Sequence, residues 1–257
     1  MGPLTIHFYA IAILTGIAVA IYWGNARFVA AGGAPGRVAE VAILAVPMGV
    51  IGGRIYHVIS SPQGYFGDNG RPIEIFYIWQ GGLGIWGAIS LGLAAAWWSF
   101  KRNKISAANS LTFGVFADAL APGVVVAQAI GRWGNWFNVE LFGRPTTLPW
   151  GLEVPMRFRP DGFTEFATFH PTFIYESIWC LIVAFLLLRF EKFRMAPGSI
   201  FIAYVALYSF GRIFIESLRI DDANLILGLR LNIWVGILVC AVSSATLIKR
   251  WKIATRG

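Results

Sequence analysis

Long apolar runs, separated by short polar connections, dominate the pattern along the chain. A helix needs about 20 mostly apolar residues to cross a bilayer. Three runs of this kind hold no charged residue, and four others carry a few polar side chains. The pattern predicts an all-α integral membrane protein, a single polytopic domain over residues 1–257. Its seven transmembrane helices are predicted at about residues 6–25, 41–59, 75–100, 107–130, 173–188, 198–218 and 231–248.

The composition fits a surface that faces lipid. Hydrophobic residues make up 57% of the chain and charged residues 13%, whereas a soluble domain carries about 25% charged residues. The net charge of +8 could indicate nucleic acid, but the basic residues form short clusters between apolar runs, so no nucleic-acid partner is expected. Cys180 and Cys240 lie inside apolar runs and are expected to be buried thiols rather than a disulfide or a metal site.

The distribution of lysine and arginine predicts the orientation. Cytoplasmic connections carry an excess of these residues. Alternate connections hold the basic clusters: Arg27 and Arg37; Lys101, Arg102 and Lys104; Arg189, Lys192 and Arg194; Lys249, Arg250, Lys252 and Arg256. The amino terminus is therefore predicted outside and the carboxyl terminus in the cytoplasm. Residues 1–8 lack the basic start of a signal peptide, so the first run is expected to remain as an anchor.

One connection, residues 131–171, is much longer than the others. Loops of this length are usually functional or disordered. This one is too aromatic for disorder, with Trp133, Trp136, Phe137, Trp150 and Phe158. It is predicted to form a small cap on the outer face.

The sixth predicted helix carries charges that are costly inside a bilayer, at about 3 kcal/mol each near its centre. Tyr208, Arg212 and Glu216 recur at four-residue spacing, with Arg219 three residues further on, and so form one polar stripe. In one interpretation Arg212 and Glu216 form a structural ion pair. In the other, Arg212 faces an anionic ligand and Glu216 orients it.

A second polar group opens the predicted cap. Arginine presents a planar fork that matches two phosphate oxygens, asparagine offers amides to hydroxyls, and the glycines permit turns and close approach of a ligand. An alternative for Arg132 is that it only reaches up to the lipid headgroups. The group comprises Arg132, Gly134, Asn135, Asn138, Glu140, Gly143 and Arg144.

A third group surrounds the start of the fifth predicted helix. Pro171 fits the first turn of a helix, which places His170 at its entrance and Glu176 deeper inside. A lone histidine can be structural or catalytic. Arg54 on the second helix and Tyr9 on the first add polar groups. Together these residues indicate an outward-facing membrane site, rich in arginine, that handles an anionic lipid headgroup.

Residues 131–146 closely resemble the signature GRxGNxxNxExxGxPT of the prolipoprotein diacylglyceryl transferase family. The resemblance extends over most of the chain, to the following further motifs: Phe8-Tyr9, Gly53-Arg54-Ile55-Tyr56, Trp79-Gln80-Gly81-Gly82-Leu83, His170-Pro171-Thr172 with Tyr175-Glu176, and Gly211-Arg212 with Glu216.

The resemblance implies a reaction, its partners and a location. The cysteine thiol of a prolipoprotein lipobox attacks the glyceryl carbon of phosphatidylglycerol, a thioether forms, and glycerol 1-phosphate leaves. The expected partners are phosphatidylglycerol, lipobox signal peptides and membrane lipid, in the bacterial cytoplasmic membrane with the site toward the outer face. No organic cofactor or metal is implied.

The same resemblance implies roles for individual residues. Arg132 is expected to bind the headgroup, and Arg212 is the other essential arginine. Glu140 and His170 complete the expected catalytic group as candidate bases. Substrate-binding roles are expected for Tyr9, Arg54, Asn135, Asn138, Gly143, Arg144 and Glu216, together with Arg132.

The chain departs from the family pattern at Trp86, where many members carry a histidine that is a candidate base. Indole nitrogen is a donor only, so two routes to a thiolate remain. In one, His170 or Glu140 removes the proton. In the other, which we favour, the field of Arg132 and Arg212 lowers the pKa of the thiol.

Two other classes of protein could carry buried charges. A lipid or small-anion transporter is expected to show repeat symmetry and broken helices in matching positions, and the sequence has neither. A membrane scaffold would not need buried charges such as Arg54, Arg212 and Glu216.

Overall fold

The structure is a computed structural model. It describes residues 8–66, 70–78, 81–102, 111–193, 195–221 and 225–254. Residues 253 and 254 are described by their backbone alone. Several residues used above lie outside this description: Trp79, Gln80, Lys104, Arg194 and Arg256, with residues 6–7 of the first predicted helix and residues 107–110 of the fourth.

Helices make up most of the described chain. The α-helices within it are α1 (Phe8–Ala30), α2 (Arg37–Ser60), α3 (Gln63–Phe66), α4 (Ile85–Arg102), α5 (Phe113–Asn138), α6 (Thr172–Phe190), α7 (Ser199–Leu218) and α8 (Leu231–Ala254). Single turns of 3-10 helix cover Pro72–Phe76, Met156–Phe158 and Glu191–Phe193. The strands are β1 (Leu152–Glu153), β2 (Thr168–Phe169), β3 (Leu225–Ile226) and β4 (Leu229–Arg230), paired antiparallel as β1–β2 and β3–β4.

Six of these helices are long and apolar enough to cross a membrane: α1, α2, α5, α6, α7 and α8. Many of their large apolar side chains are exposed, which is expected of surfaces that face lipid rather than water. The structure therefore confirms a helical, multi-pass membrane protein. Helix α4, which ends in Lys101 and Arg102, is not among the six.

The third predicted helix was placed too early. The sequence predicts it from residue 75, but α4 begins at Ile85. Gly81 and Gly82 adopt positive φ values of 87° and 72°, a conformation that interrupts a right-handed helix. The absence of charge over residues 75–84 indicated a helix, but Gly81 and Gly82 adopt a non-helical conformation just before the helix begins.

The fourth predicted helix extends beyond its predicted end at residue 130. Helix α5 continues to Asn138, so the first eight residues of the predicted cap are helical. Gly134 does not form a turn here. A Cβ atom at this position would lie 2.5 Å from Cδ2 of Tyr9, so the glycine allows close packing against the start of α1.

The chain divides into two compact units. The larger comprises Met1–Arg27 and Gly114–Gly257, and the smaller comprises Phe28–Phe113. In the larger unit, buried side chains of α5, α6 and α7 form the main apolar cluster, including Val125, Val183 and Ala203. In the smaller unit α2 packs against α4, and the buried guanidinium of Arg54 donates to the carbonyls of Glu74, Ile75, Gly81 and Gly82.

The connecting segment, residues 139–171, folds over a small apolar cluster of its own. Phe142, Val154 and Phe169 are buried together, and β1 pairs with β2 so that Leu152 faces Phe169. An isolated bridge joins Gly143 to Arg219, at the end of α7. The segment is thereby tied to the helix that carries the predicted polar stripe.

Asp118 shows that an acid within a predicted span can have a purely structural role. Its Oδ2 accepts from the backbone N–H of Gly198 at 2.6 Å, and its Oδ1 accepts from that of Phe201 at 2.8 Å. The first N–H groups of a helix lack partners within the helix and favour negative charge. Asp118 of α5 therefore caps the start of α7.

We expect Asp118→Asn to lower the free energy of unfolding by about 1 kcal/mol, since one acceptor and the charge are lost at a helix terminus. Thermal unfolding of the purified protein in detergent measures this as a lower Tm. Glu165→Gln, at an exposed position, is the matched control. An unchanged Tm in Asp118→Asn would show that the cap contributes nothing to stability.

Candidate active site

Glu176 joins the two arginines that the sequence singled out. Its Oε1 accepts from Nη2 of Arg132 at 2.7 Å, and its Oε2 accepts from Nη1 of Arg212 at 2.9 Å. The Tyr208 hydroxyl donates to the same Oε1 at 2.8 Å. The carboxylate is buried, while the side chains of Arg132 and Arg212 stay 24% and 19% exposed. The two guanidinium groups are thus held beside one another by a single buried anion.

Glu216 forms the second centre of the network. It is fully buried, and its Oε2 lies 2.7 Å from Nη2 of Arg212 and 3.6 Å from Nη1 of Arg219. Its Oε1 accepts from Nε of Arg230 at 2.8 Å and from Nδ2 of Asn232 at 3.1 Å. Arg212 therefore bridges two carboxylates, one on α6 and one on its own helix.

Asp221 closes the network beyond the end of α7. Arg219 donates to both of its oxygens, from Nε at 2.7 Å and from Nη2 at 2.8 Å. Nη2 of Arg230 lies 2.9 Å from its Oδ2. Burial alone would raise the pKa of Asp221, but the hydrogen bonds and charges of Arg219 and Arg230 hold the pKa of this carboxyl below its ordinary value.

Helical spacing brings these groups together. Tyr208, Arg212 and Glu216 lie one turn apart on α7, so they share a face. Helix α6 supplies Glu176, and α5 supplies Arg132 near its end. Charges persist in a membrane helix when they pair with one another. Within the part of the chain that the structure describes, the network holds four arginines and three carboxylates, which leaves one positive charge in excess there: Arg132, Arg212, Arg219 and Arg230 against Glu176, Glu216 and Asp221.

A tight turn after α5 positions Glu140. Its Oε1 accepts from Nδ2 of Asn135 at 2.9 Å and from Nδ2 of Asn138 at 3.0 Å. Val139 and Leu141, on either side of it, have positive φ values of 52° and 57°. This conformation is strained for residues other than glycine, above all for β-branched valine, and such strain clusters at functional sites. The two amides occupy one oxygen of the carboxylate.

Gly143 lies where three parts of the chain converge. Its N–H donates to the His170 carbonyl at 2.8 Å. An added Cβ would lie 2.9 Å from Cγ2 of Thr172, 3.0 Å from Cβ of His170 and 3.0 Å from the Leu218 carbonyl oxygen. The next residue, Arg144, donates its N–H to that Leu218 carbonyl at 2.9 Å.

We expect Gly143→Ala to reduce turnover at least about 10-fold, because misplacement by about 1 Å is costly in a preorganised site. The backbone oxygen of Leu218 cannot move aside as a flexible side chain could. Turnover of the purified variant, with circular dichroism as the measure of folding, tests this. Gly162→Ala is not a suitable control because Gly162 has a positive φ of 82°. Gly64→Ala is suitable, since a Cβ there meets nothing within 4 Å.

His170 is held at the entrance of α6 by its backbone and its ring. Its N–H donates to the Arg144 carbonyl at 3.0 Å. Its Nδ1 lies 3.0 Å from the Tyr175 hydroxyl oxygen, which also accepts from Nε1 of Trp150 at 2.9 Å. Trp150 of the connecting segment is thus linked to His170 through the Tyr175 hydroxyl on α6.

The larger unit brings together most of the residues that the sequence predicted for the site. Arg132, Arg212 and Glu216 share the ion-pair network, and Asn135, Asn138 and Glu140 form one hydrogen-bonded group. Tyr9 packs on Gly134, next to Asn135. Arg54 belongs to the smaller unit, where four backbone carbonyls account for its burial, so its role in binding stays a prediction.

Six residues of the network were not predicted as site residues: Glu176, Tyr208, Arg219, Asp221, Arg230 and Asn232. Glu176, Tyr208 and Arg219 were noted as polar groups in or just after helices, but nothing in the sequence pairs Glu176 or Tyr208 with Arg132. The other three lie between α7 and the first turn of α8, where charged and amide residues are common, so nothing in the sequence distinguished them. Within the described residues, no group of three or more histidine, cysteine, aspartate or glutamate side chains could hold a metal ion.

The fold and the site define a multi-pass helical membrane protein with a partly buried network rich in arginine. A model of the prolipoprotein diacylglyceryl transferase family matches residues 1–249. The chain belongs to this family.

Relatives with the corresponding name are close in sequence. The phosphatidylglycerol–prolipoprotein diacylglyceryl transferase 2 of Streptomyces coelicolor is 51% identical over 249 residues, which cover 96% of this chain and 77% of the relative. The phosphatidylglycerol–prolipoprotein diacylglyceryl transferase of Cutibacterium acnes is 53% identical, and the match covers 90% of this chain and 77% of that relative. The transferase of Streptomyces griseus is 50% identical, and the match covers 93% of this chain and 71% of that relative.

Proposed function

We propose that this protein transfers the diacylglyceryl group of phosphatidylglycerol to the cysteine thiol of a prolipoprotein lipobox. The thiolate sulfur attacks the glyceryl carbon, a C–S bond forms, and the C–O bond to phosphate breaks. Glycerol 1-phosphate leaves with the bonding electron pair, and the thiol proton is released. The relatives named above carry this activity in their names.

One observation carries the proposal: counted over the described residues, the ion-pair network has one positive charge more than it has negative charges. A phosphodiester carries one negative charge, so a bound phosphatidylglycerol headgroup would balance the network. Arg132 and Arg212 are its most exposed arginines. Among the described residues, Nε and Nη1 of Arg132 have no hydrogen-bond partner. These donors can therefore bind phosphate while Nη2 stays on Glu176.

The arginines serve the chemical step as well as binding. Charge develops on the phosphate as the C–O bond breaks, and donors fixed in a site of low dielectric stabilise that charge. Because Glu176 and Glu216 hold the guanidinium of Arg212 from two sides, little reorganisation is needed during the reaction. The same positive field lowers the pKa of a thiol placed beside it.

The remaining polar groups fit recognition of the glycerol part and the leaving group. Asn135, Asn138 and Glu140 form a hydrogen-bonded group on the last turn of α5 and the residues after it. Amides and a carboxylate suit the hydroxyl groups of phosphatidylglycerol. Gly143 keeps the neighbouring backbone close to this group, and Tyr9 lies against Gly134. Arg144 and Arg54 are proposed to contribute to lipid binding.

We also propose the arrangement in the membrane. Helix α4, with 18 residues, spans about 27 Å at 1.5 Å per residue, close to the hydrocarbon thickness of about 30 Å. It would be the seventh transmembrane helix. The connecting segment would then lie on the outer face of the bacterial cytoplasmic membrane, with the amino terminus outside and the carboxyl terminus inside.

Thiol labelling tests this orientation. We expect Asp161→Cys to react with a membrane-impermeant thiol reagent in intact cells, and Lys101→Cys to react only after the membrane is opened. Both variants are made in a chain with Cys180 and Cys240 changed to alanine, so that each signal has one source. Labelling of Lys101→Cys and protection of Asp161→Cys in intact cells would reverse the orientation.

The activity is tested with purified protein in phosphatidylglycerol vesicles and a synthetic lipobox peptide. Mass spectrometry should detect a peptide heavier by one diacylglyceryl unit. A peptide with the lipobox cysteine changed to serine is the control. A protein that moved labelled phosphatidylglycerol across the bilayer without modifying the peptide would be a transporter, and the proposal would be wrong.

A further inference from the structure

We infer that Tyr175, held by Trp150, fixes the imidazole of His170 as the tautomer with its proton on Nε2. His170 then donates a hydrogen bond to the substrates and does not accept the thiol proton. The part about substrates rests on the function proposed above. The tautomer itself follows from three side chains in the larger unit.

The indole of Trp150 determines one side of the Tyr175 hydroxyl. Its Nε1 lies 2.9 Å from that oxygen. Indole nitrogen carries a proton and has no acceptor capacity. The phenol oxygen must therefore accept this hydrogen bond, whichever way its own proton points.

The phenol proton then decides the state of His170. Nδ1 of His170 lies 3.0 Å from the Tyr175 oxygen. Among the described residues, Trp150 and His170 are the hydrogen-bond partners of this hydroxyl. If Nδ1 carried a proton, the phenol oxygen would accept twice and its own proton would have no acceptor among these residues. If Nδ1 is bare, the phenol donates to it and every group is satisfied.

A bare Nδ1 in a neutral imidazole means that the proton is on Nε2. This nitrogen is then a donor toward an oxygen, such as that of a phosphate or a peptide carbonyl. It has no lone pair with which to take a proton from a thiol. The ring is also kept in place, since the backbone N–H and carbonyl of His170 are bonded to Arg144 and Gly143, and its ring contacts that of Tyr175 edge to face.

The inference removes one of the two candidate bases. A base at Nε2 would require the opposite tautomer, so His170 is excluded, whereas Glu140 and the field of the arginines remain as routes to the thiolate. It also assigns positioning roles to Tyr175 and Trp150, whose side chains are hydrogen-bonded to each other and to His170 rather than to the ion-pair network among the described residues. Trp150 lies in the connecting segment, so that segment would set the state of a side chain at the entrance of α6.

The tautomer can be measured without substrate. Protein labelled with ¹⁵N-histidine is studied by NMR near neutral pH, and the signals of His170 are assigned as those lost in His170→Gln. We expect Nδ1 in the unprotonated range and Nε2 in the protonated range. Tyr175→Phe should give a mixture of tautomers, whereas Tyr22→Phe, at an exposed position on α1, should not. A protonated Nδ1 in the parent protein, or an unchanged spectrum in Tyr175→Phe, would overturn the inference.

Two substitutions of His170 test its role in turnover. The glutamine amide nitrogen can replace Nε2 as a donor, whereas that of the shorter asparagine lies nearer to the position of Nδ1. We expect His170→Gln to keep at least about a tenth of turnover and His170→Asn to lose about 10- to 100-fold, the cost of one hydrogen bond to a charged group. If both variants fold and both are inactive, His170 is a base. Absence of transfer in the parent protein would overturn the proposed function but not the tautomer.

Discussion

Replacing Arg132 by lysine should reduce diacylglyceryl transfer at least about 100-fold while the protein still inserts and folds. Nη2 of Arg132 is already engaged by Glu176 and Tyr208, so the phosphate must use the other nitrogens of the same planar group. Lysine keeps the charge but has a single ammonium and no fork. It can pair with Glu176 or with the phosphate, but it cannot hold both in the geometry of the parent.

Arg212→Lys should be as damaging for a related reason. Arg212 uses two different nitrogens for Glu176 and Glu216, at 2.9 and 2.7 Å. A lysine ammonium cannot reach both of these buried carboxylates in the parent geometry, so one of them would lose the donor that Arg212 supplies. The predicted loss is therefore in turnover and in stability, whereas Arg132→Lys should affect turnover alone.

Turnover against phosphatidylglycerol concentration, with thermal unfolding of each variant, measures both effects. Arg250→Lys is the matched control, because Arg250 donates to the Pro197 carbonyl and lies outside the network. Near-normal turnover in Arg132→Lys would mean that Arg132 only reaches toward the headgroups, which was the alternative interpretation of this residue.

The fold was predictable where hydrophobicity alone determines it. Six predicted spans overlap helices that are long and apolar enough to cross a membrane. The predicted helix boundaries and turns were wrong where backbone conformation or side-chain packing, rather than hydrophobicity, determines the local structure. The two glycines at 81 and 82 were apolar enough to be counted in a helix, but their positive φ values exclude it. Gly134 suggested a turn, but it lies within α5 because Tyr9 packs against it.

The candidate site was predictable to the extent that its residues are neighbours in sequence. The spacing of Tyr208, Arg212 and Glu216 placed them on one face, and the structure has the ion pair between Arg212 and Glu216 that one of the two interpretations described. Contacts between different helices have no corresponding spacing in the sequence. The pairing of Arg132 with Glu176 joins residues 44 positions apart, and Arg230 reaches Glu216 from β4, immediately before the next helix. Only the three-dimensional packing reveals that Glu176 lies between the two arginines.

Glu176 is for this reason the site of the second large effect. Its two oxygens accept from Arg132, Tyr208 and Arg212. Glutamine has the same shape but only one oxygen. If that oxygen faces Arg132 and Tyr208, the amide nitrogen meets Nη1 of Arg212, and two donors oppose each other. In the flipped orientation the conflict moves to Arg132.

The charge of the network changes as well. Without the Glu176 carboxylate, four arginines face two carboxylates among the network residues that the structure describes, and the excess counted there rises to two positive charges. Breaking a buried pair by removing one partner costs about 3–5 kcal/mol. We expect Glu176→Gln to unfold at a lower temperature than the parent and to transfer diacylglyceryl groups at least about 100-fold more slowly. Glu176→Asp, which keeps the charge on a shorter side chain, should lose less stability.

Added phosphatidylglycerol distinguishes an electrostatic role from simple packing. An anionic phosphate between the arginines supplies part of the missing negative charge, so this lipid should raise the Tm of Glu176→Gln more than that of the parent. Phosphatidylethanolamine, which has no net charge, is the lipid control. Glu191→Gln is the protein control, because Glu191 also pairs with an arginine, Arg27, but lies beyond the far end of α6. Equal shifts in both proteins, with turnover close to that of the parent, would show that Glu176 only fills space between the helices.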